Sequence, residues 1–198
     1  HEGPEEQTDN ENSEHPEAWL TNRYPRVTEK YGLPLHITTN DTIKDLNEDF
    51  FAACLSDLGT PDAPVVFTQG AFYHYSEETG IFETINAGKV ETMIGEIMRD
   101  CANACDNGVV NDVSPLRFKF NKKSVLSSIR HRAAAIAEQP DDYFEDTSEF
   151  IIFENGVLEL ETEKLVDFSP KCRSRNRIPF PFDAKAKCDL FHNKLLGE

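Results

Sequence analysis

The sequence lacks any apolar run long enough to cross a bilayer, and its first residues lack the marks of a secretory leader. Its 198 residues are 38% hydrophobic, which suits one globular domain of ordinary size, or one domain with an unstructured end. The start of the chain carries neither a basic stretch nor an apolar stretch, so no signal peptide is expected. We therefore expect an intracellular protein without membrane contact.

Cysteines are few, odd in number and irregularly spaced: Cys54, Cys101, Cys105, Cys172 and Cys188. This pattern does not form a disulfide framework, so a reducing compartment is the better interpretation. Cys172, Cys188 and His192 could together hold zinc. We favour the simpler interpretation of buried thiols and a surface imidazole, and we predict no metal and no cofactor.

The common catalytic and phosphate-binding motifs are missing as well. The only Gly-Lys pair, Gly88-Lys89, is followed by valine and does not complete a P-loop, whose backbone amides would wrap phosphates. The acid pairs Asp141-Asp142 and Glu145-Asp146 could bind Mg²⁺ for phosphoryl chemistry, but no nucleophile accompanies them. We expect a solvated acidic loop there and no catalytic residue in this chain.

Charge is abundant and unevenly distributed. The formal net charge is −16, yet residues 114–137 hold six bases and no acid, whereas residues 138–163 hold ten acids and no base. Residues 2–17 add seven acids without a base. The net charge is therefore a poor guide to any one surface.

The basic segments are the best functional candidates, because cations interleaved with aromatic residues suit a nucleic-acid backbone and its bases. The alternative is that the basic helix faces solvent with its phenylalanines in the core, or that the second basic segment, residues 171–177, pairs with the acidic residues 138–163. The predicted nucleic-acid-binding residues are Arg117, Lys119, Lys122, Lys123, Arg130, Arg132, Lys171, Arg173, Arg175 and Arg177.

Periodicity predicts an α+β fold, in which helices pack on short antiparallel hairpins within a single domain. Residues 1–17 are too polar to bury a core, and we predict a disordered acidic tail. Residues 18–41 are predicted to be an extended arm or linker, and residues 42–198 the domain itself. Within it we expect a helix from Thr42, and a final helix over Ala184–Leu196.

The stretch FIIFENGVLELETEKLVDFSP predicts a β-hairpin. Asn155-Gly156 separates two apolar runs, and such a pair favours a type I′ turn with two residues at positive φ. Phe150–Phe153 should pair with Val157–Leu160, and Leu165–Phe168 should follow after a second turn.

This stretch and the FPFDAKAKCDLFHNKLLG that follows resemble the N-terminal accessory domain of phage, plasmid and poxvirus-type primase-helicases. The resemblance covers about residues 42–198. Three departures are Phe182, where tyrosine is usual, and Lys185 and Asp189, where prolines are usual. The matching residues are Asn155, Gly156, Val157, Leu158, Ser169, Pro170, Asp183, Ala186 and Cys188.

The resemblance implies a non-catalytic module that precedes a superfamily 3 helicase module in a viral, phage or plasmid DNA-replication protein. Such a module would link or assemble the helicase, possess no active site, and bind single-stranded or forked DNA through its basic segments. The parent protein would hydrolyse NTP and assemble as a homo-oligomer, a hexamer, in the cytoplasm of a host cell. The alternative is an acidic protein-interaction or oligomerisation domain that binds no nucleic acid.

Overall fold

The computed structural model describes residues 22–40, 42–105, 114–120, 122–145 and 149–186. The predicted acidic tail, 1–17, lies outside them. The described helices are α1 (Pro25–Tyr31), α2 (Glu48–Ala53), α3 (Ala87–Cys105), α4 (Ser114–Phe120) and α5 (Lys123–Ile136). The described strands are β1 (Leu35–Ile37), β2 (Ile43–Leu46), β3 (Val65–Thr68), β4 (Ala71–Ser76), β5 (Ile81–Ile85), β6 (Phe150–Phe153), β7 (Gly156–Glu159) and β8 (Lys164–Val166). Helices and small antiparallel sheets confirm the predicted α+β class.

The chain divides into two compact units. Unit 1 comprises residues up to His74 together with 84–139, and unit 2 comprises 75–83 and the residues from 140 onward. The chain passes from one unit to the other within β4, again within β5, and a third time between Gln139 and Pro140, after α5. The first two passages thus lie within strands.

Unit 1 is built around α3 and α5. Helix α3 buries one stripe that includes Val90, Ile94, Met98 and Cys101, a repeat of three and four residues that gives a helix one apolar face. Helix α5 packs against both α2 and α3 and contributes the buried Ile129 to the same core. The helices therefore surround a continuous apolar cluster.

The helix predicted from Thr42 is wrong over its first turn. Residues Ile43–Leu46 form strand β2, which pairs antiparallel with β1. The helix begins only at Glu48, because the Asn47 side chain accepts a hydrogen bond from Phe50 N at 3.1 Å and donates to Tyr31 O at 2.7 Å. The spacing of Ile43 and Leu46, both buried, imitates helical periodicity on a strand of only four residues.

The segment predicted to be an arm contributes to the core of unit 1. Within it lie α1 and β1, whose residues Val27 and Leu35 are buried. Pro25 starts α1 in the position where a missing N–H is harmless. These residues anchor the chain before β2 and α2.

Unit 2 contains a three-stranded sheet in the order β6-β7-β8, so the predicted hairpin is confirmed. Its register pairs Phe153 with Gly156, which makes Glu154 and Asn155 the turn residues. The predicted type I′ turn at Asn155-Gly156 is wrong, because the turn residues are Glu154 and Asn155 and neither has a positive φ. A small core of Ile152, Val157 and Cys172 lies on this sheet.

The pair Asn155-Gly156 holds two neighbouring segments close to the hairpin. The Asn155 side-chain amide donates to Phe182 O at 3.1 Å and accepts from Phe182 N at 2.7 Å. A Cβ on Gly156 would lie 2.7 Å from Val166 O, and Gly156 has φ 147°. Glycine here allows β8 to approach, so the pair has a structural role.

Most of the predicted last helix, Ala184–Leu196, lies outside the described residues, which end at Ala186 just after a turn. None of the helices that the structure describes is long and apolar enough to span a membrane.

Candidate nucleic-acid interface

Two of the predicted DNA-binding arginines on α5 are held by carboxylates of unit 1. Arg130 Nε lies 3.1 Å from Glu91 Oε1, and both side chains are only about one-fifth exposed (22% and 20%). Arg132 bridges the first turn of α2, with Nε 2.9 Å from Glu48 and Nη1 2.8 Å from Asp49. These hydrogen bonds raise the pKa of Arg132, and the one to Asp49 has the largest effect. The basic helix thus docks on acids that precede it in the chain.

Lys119 on α4 is paired in the same way. Its Nζ lies 3.0 Å from Asp45 Oδ1 on β2. The hydrogen bond from Lys119, together with one from Leu46 N at 2.8 Å, lowers the pKa of Asp45. The opposite charge is therefore supplied by the strand that had been predicted as a helix.

The junction between α4 and α5 differs, because its cations face solvent beside an exposed aromatic ring. Phe118 is 65% exposed, and Lys122 Nζ lies 4.6 Å from the centroid of its ring. The exposed Lys123 side chain forms no ion pair or hydrogen bond with any residue that the structure describes. The alternative interpretation placed Phe118 in the core, and its exposure contradicts that placement.

The second basic segment belongs to unit 2, where its arginines lie over aromatic rings. The guanidinium of Arg173 is 4.8 Å from the ring centroid of Tyr143, and that of Arg175 is 5.0 Å from Phe144. The segment is fixed by a hydrogen bond from Phe82 N to Ser174 O at 2.8 Å. Lys171 is exposed and Arg177 is half-buried.

In the aromatic cluster formed by Phe82, Tyr143 and Phe144, buried rings lie next to exposed arginines. The Phe82 and Phe144 rings lie 5.4 Å apart and are buried, while Arg173 and Arg175 are exposed. An aromatic ring carries no formal charge, so it does not neutralise the cation above it as a carboxylate would. The exposed Arg173 therefore presents positive charge over the ring of Tyr143.

A comparison with known protein families bears on this chain. The sequence model of the family described as D5 N terminal like matches residues 61–196, which is more than half of the chain. The chain belongs to the D5 N terminal like family. A search among curated proteins finds no match to the sequence.

The D5 N terminal like assignment confirms the resemblance that the sequence showed, since this is the family of the N-terminal domain of phage and viral primase-helicase proteins. The matched residues include the β6-β7 hairpin, α3 and both basic segments. They begin after β1, β2 and α2, so the match is shorter at its start than the resemblance over residues 42–198.

The metal candidates of the D5 N terminal like chain gain no support from the structure. Cys188 and His192 lie outside the described residues, and Cys172 is buried. Burial raises the pKa of the Cys172 thiol, which disfavours the thiolate that metals bind. Among the described residues, no three His, Cys, Asp or Glu side chains lie close enough to hold a metal ion.

One cation that the sequence interpretation did not select lies near the predicted set. Arg99 is exposed on α3 and faces the same groove as Arg117 of α4. The residues around Arg99 include both acids and bases, so the composition of this segment does not indicate a basic surface. The helical spacing of Thr92, Gly95 and Arg99 could have placed all three on one face.

Proposed function

We propose that this chain is a non-catalytic module of a viral, phage or plasmid replication protein, and that it precedes a superfamily 3 helicase module. In the parent protein it would link and assemble the helicase, a hexamer, in the cytoplasm of a host cell. It would bind single-stranded or forked DNA through cations on its surface. NTP hydrolysis would belong to the helicase module. The family assignment supports the replication context.

The observation that carries the DNA-binding part is the exposed group formed by Phe118, Lys122 and Lys123. An exposed aromatic face allows a base to stack, at roughly 1–3 kcal/mol per base. Ammonium groups next to that face attract the neighbouring phosphates. A phenylalanine that is 65% exposed leaves apolar surface in water, and such surface often marks a binding site.

The ten predicted residues should therefore contribute unequally. Lys122, Lys123 and Arg173 have no carboxylate partner among the described residues, and they would bind phosphate without breaking an ion pair. Arg130 and Arg132 would have to exchange a carboxylate for a phosphate, with little net gain.

The test is fluorescence anisotropy of a short labelled oligothymidine across a salt series. We expect affinity to fall steeply as salt rises, because each neutralised phosphate releases counterions. Phe118→Ala and the double variant Lys122→Ala, Lys123→Ala should each weaken binding about ten-fold. Lys44→Ala, which removes one exposed cation elsewhere in unit 1, is the control. Binding that is independent of salt, and unchanged in these variants, would overturn the proposal.

A second candidate function is oligomerisation without nucleic-acid binding. Strand β8 lies at an edge of its sheet, and all three of its residues are exposed. Leu165 and Val166 are 38% and 37% exposed, and Leu160 before them is 45% exposed. Apolar edge strands favour pairing with another chain. Sedimentation velocity of the wild type and of Leu165→Lys would decide: a dimer or larger species that dissociates in the variant supports this function.

A further inference from the structure

The three-stranded sheet of unit 2 has one covered edge and one open edge. On the β6 side, Ile178 N donates to Ile152 O at 2.8 Å, and Glu154 N donates to Phe180 O at 3.1 Å. On the β8 side, the backbone groups that point away from β7 form no hydrogen bond with any residue that the structure describes. Strand β8 is therefore the edge at which a further strand can be added.

The register of the sheet identifies the backbone groups of β8 that face outward. Leu160 N donates to Glu149 O at 3.0 Å, and hydrogen-bonded pairs alternate along an antiparallel ladder. Leu158, two residues earlier, therefore also directs its N–H and C=O toward β6. Its partner on the other side is Leu165 of β8, which accordingly directs both of its backbone groups away from the sheet.

Leu165 also ends an apolar row on the face of the sheet opposite the small core. The row crosses the three strands through the paired residues Ile151, Leu158 and Leu165, whereas Ile152 and Val157, one position along, are buried on the other face. Ile151 and Leu158 are half-buried, and Leu165 is 38% exposed. A strand added beside β8 would extend this row and cover its exposed end.

The charges beside Leu165 decide which kind of strand fits. Glu163 and Asp167, two residues before and after Leu165, are exposed and form no ion pair with any residue that the structure describes. If a second copy of β8 paired antiparallel with the first, with Leu165 opposite Leu165, each Glu163 would face an Asp167. Like charges directly opposite one another are destabilising. A strand with a basic residue at each of those two positions would form favourable pairs instead.

We propose that β8 binds an extended segment of a protein partner with the pattern basic–x–apolar–x–basic, added antiparallel as a fourth strand of this sheet. The N–H and C=O of Leu165 would pair with the backbone of that segment. Its apolar residue would extend the row at Leu165, and its basic residues would face Glu163 and Asp167. The proposal does not depend on DNA binding, and it gives the edge considered above for self-association a different partner.

The first test uses the labelled peptide Thr-Lys-Thr-Val-Thr-Lys-Thr, which is titrated with the protein and followed by fluorescence anisotropy. In one control peptide both lysines are glutamates. The other control, Thr-Thr-Lys-Val-Lys-Thr-Thr, keeps the composition but moves each lysine by one position, to the opposite face of the added strand. The first peptide should bind about ten-fold more tightly than either control. Equal binding of the two lysine peptides would indicate general attraction to an acidic protein and would overturn the proposal.

The second test changes the edge of the protein. Leu165→Pro removes an N–H that points outward, a change that edge strands tolerate, and it should abolish binding. Glu163→Lys combined with Asp167→Lys should weaken binding about ten-fold. Asp62→Lys combined with Glu96→Lys, an equal change of charge at exposed sites of unit 1, should change affinity less than about two-fold. Equal losses in the two double variants would contradict the assigned position.

Two further measurements keep the test decisive. Circular dichroism checks that Leu165→Pro folds; if it does not, amide hydrogen exchange of the wild type replaces it, since the first peptide should slow exchange at Leu165. Unchanged exchange at Leu165 would overturn the proposal. Sedimentation velocity examines the alternative occupant: a dimer of the wild type that Leu165→Pro abolishes would mean that a second copy occupies the edge, against this proposal. None of these results bears on oligothymidine binding, which is tested at Phe118, Lys122 and Lys123.

Discussion

The two basic segments differ in the groups that their cations contact. On α5, Arg130 and Arg132 form ion pairs with carboxylates of α3 and α2, so their charge is largely neutralised within unit 1. In unit 2, Arg173 lies over the ring of Tyr143 and has no carboxylate partner among the described residues. Segregation of charge along a sequence therefore does not establish segregation in space, and the partner of each cation decides whether it remains available to a polyanion.

The cores differ in size as well. Unit 1 buries side chains from α1, α2, α3 and α5 in one large cluster, whereas unit 2 buries Ile152, Val157 and Cys172 on its sheet and the aromatic residues Tyr75, Phe82 and Phe144. A larger cluster removes more apolar area from water and loses more when a cavity is opened. Unit 1 should therefore supply most of the stability of the chain.

The largest expected effect follows from matched cavities in the two cores. Ile94→Ala in α3, at 0% exposure, should lower the free energy of unfolding by about 4 kcal/mol, and Ile152→Ala in β6, at 3%, by about 2 kcal/mol. Urea unfolding followed by circular dichroism measures both. Equal losses, or a larger loss for Ile152→Ala, would contradict the view that unit 1 has the dominant core.

The next effect concerns DNA affinity. Arg173→Gln should weaken oligothymidine binding roughly five- to ten-fold and reduce the salt slope by about one, because it removes a cation that is available to phosphate. Arg132→Gln should change affinity less than about two-fold, because its charge is balanced by Glu48 and Asp49. The reverse order of effects would show that the ion pairs open when DNA binds.

Tyr75 offers a smaller test, on stability. Its side chain is 2% exposed, and its hydroxyl has no hydrogen-bond partner among the described residues. Burial raises its pKa to about 12, so the hydroxyl is neutral near pH 7. Tyr75→Phe should raise the free energy of unfolding by about 1 kcal/mol, since it removes an unsatisfied buried group. A loss of stability would instead indicate a partner beyond the described residues.

The sequence predicted the elements whose local signals agree with their environment. The β6-β7 hairpin has two apolar runs on either side of a turn-forming pair, and the pairing is as predicted although the turn lies one residue earlier. It failed at β2, because four residues are too few to distinguish a buried strand from one helical turn. Asn47, the cap of α2, is a residue type that caps helices well, but it follows the predicted start at Thr42 by five residues.

The candidate site was predictable only in part. The composition of residues 114–137 indicated cations, but not that Glu48, Asp49 and Glu91 would neutralise some of them, since those acids lie in distant parts of the sequence. Arg99, which lines the same groove as Arg117, lies in a segment of mixed charge. Its nearness to Arg117 emerges only when α3 and α4 pack together.

The smallest expected effect tests the remaining ion pair, between Lys119 and Asp45. The hydrogen bond from Lys119 lowers the pKa of Asp45 in the folded chain. The stability it contributes is therefore present above the pKa of the unfolded carboxyl, near 3.8, and is lost as pH falls through the lower folded value. Since Asp45 is 68% exposed, the contribution should be well under about 1 kcal/mol.

Lys119→Ala should raise the pKa of Asp45 toward its ordinary value, and Lys44→Ala, next to Asp45 on β2, should raise it less because Lys44 does not donate to that carboxylate. Carboxyl-detected NMR titration between about pH 2 and pH 6 resolves the two variants. The same pKa in wild type and Lys119→Ala would mean that Leu46 N alone holds the carboxylate. Lys119 would then be available to phosphate, and α4 would resemble the second basic segment more than α5.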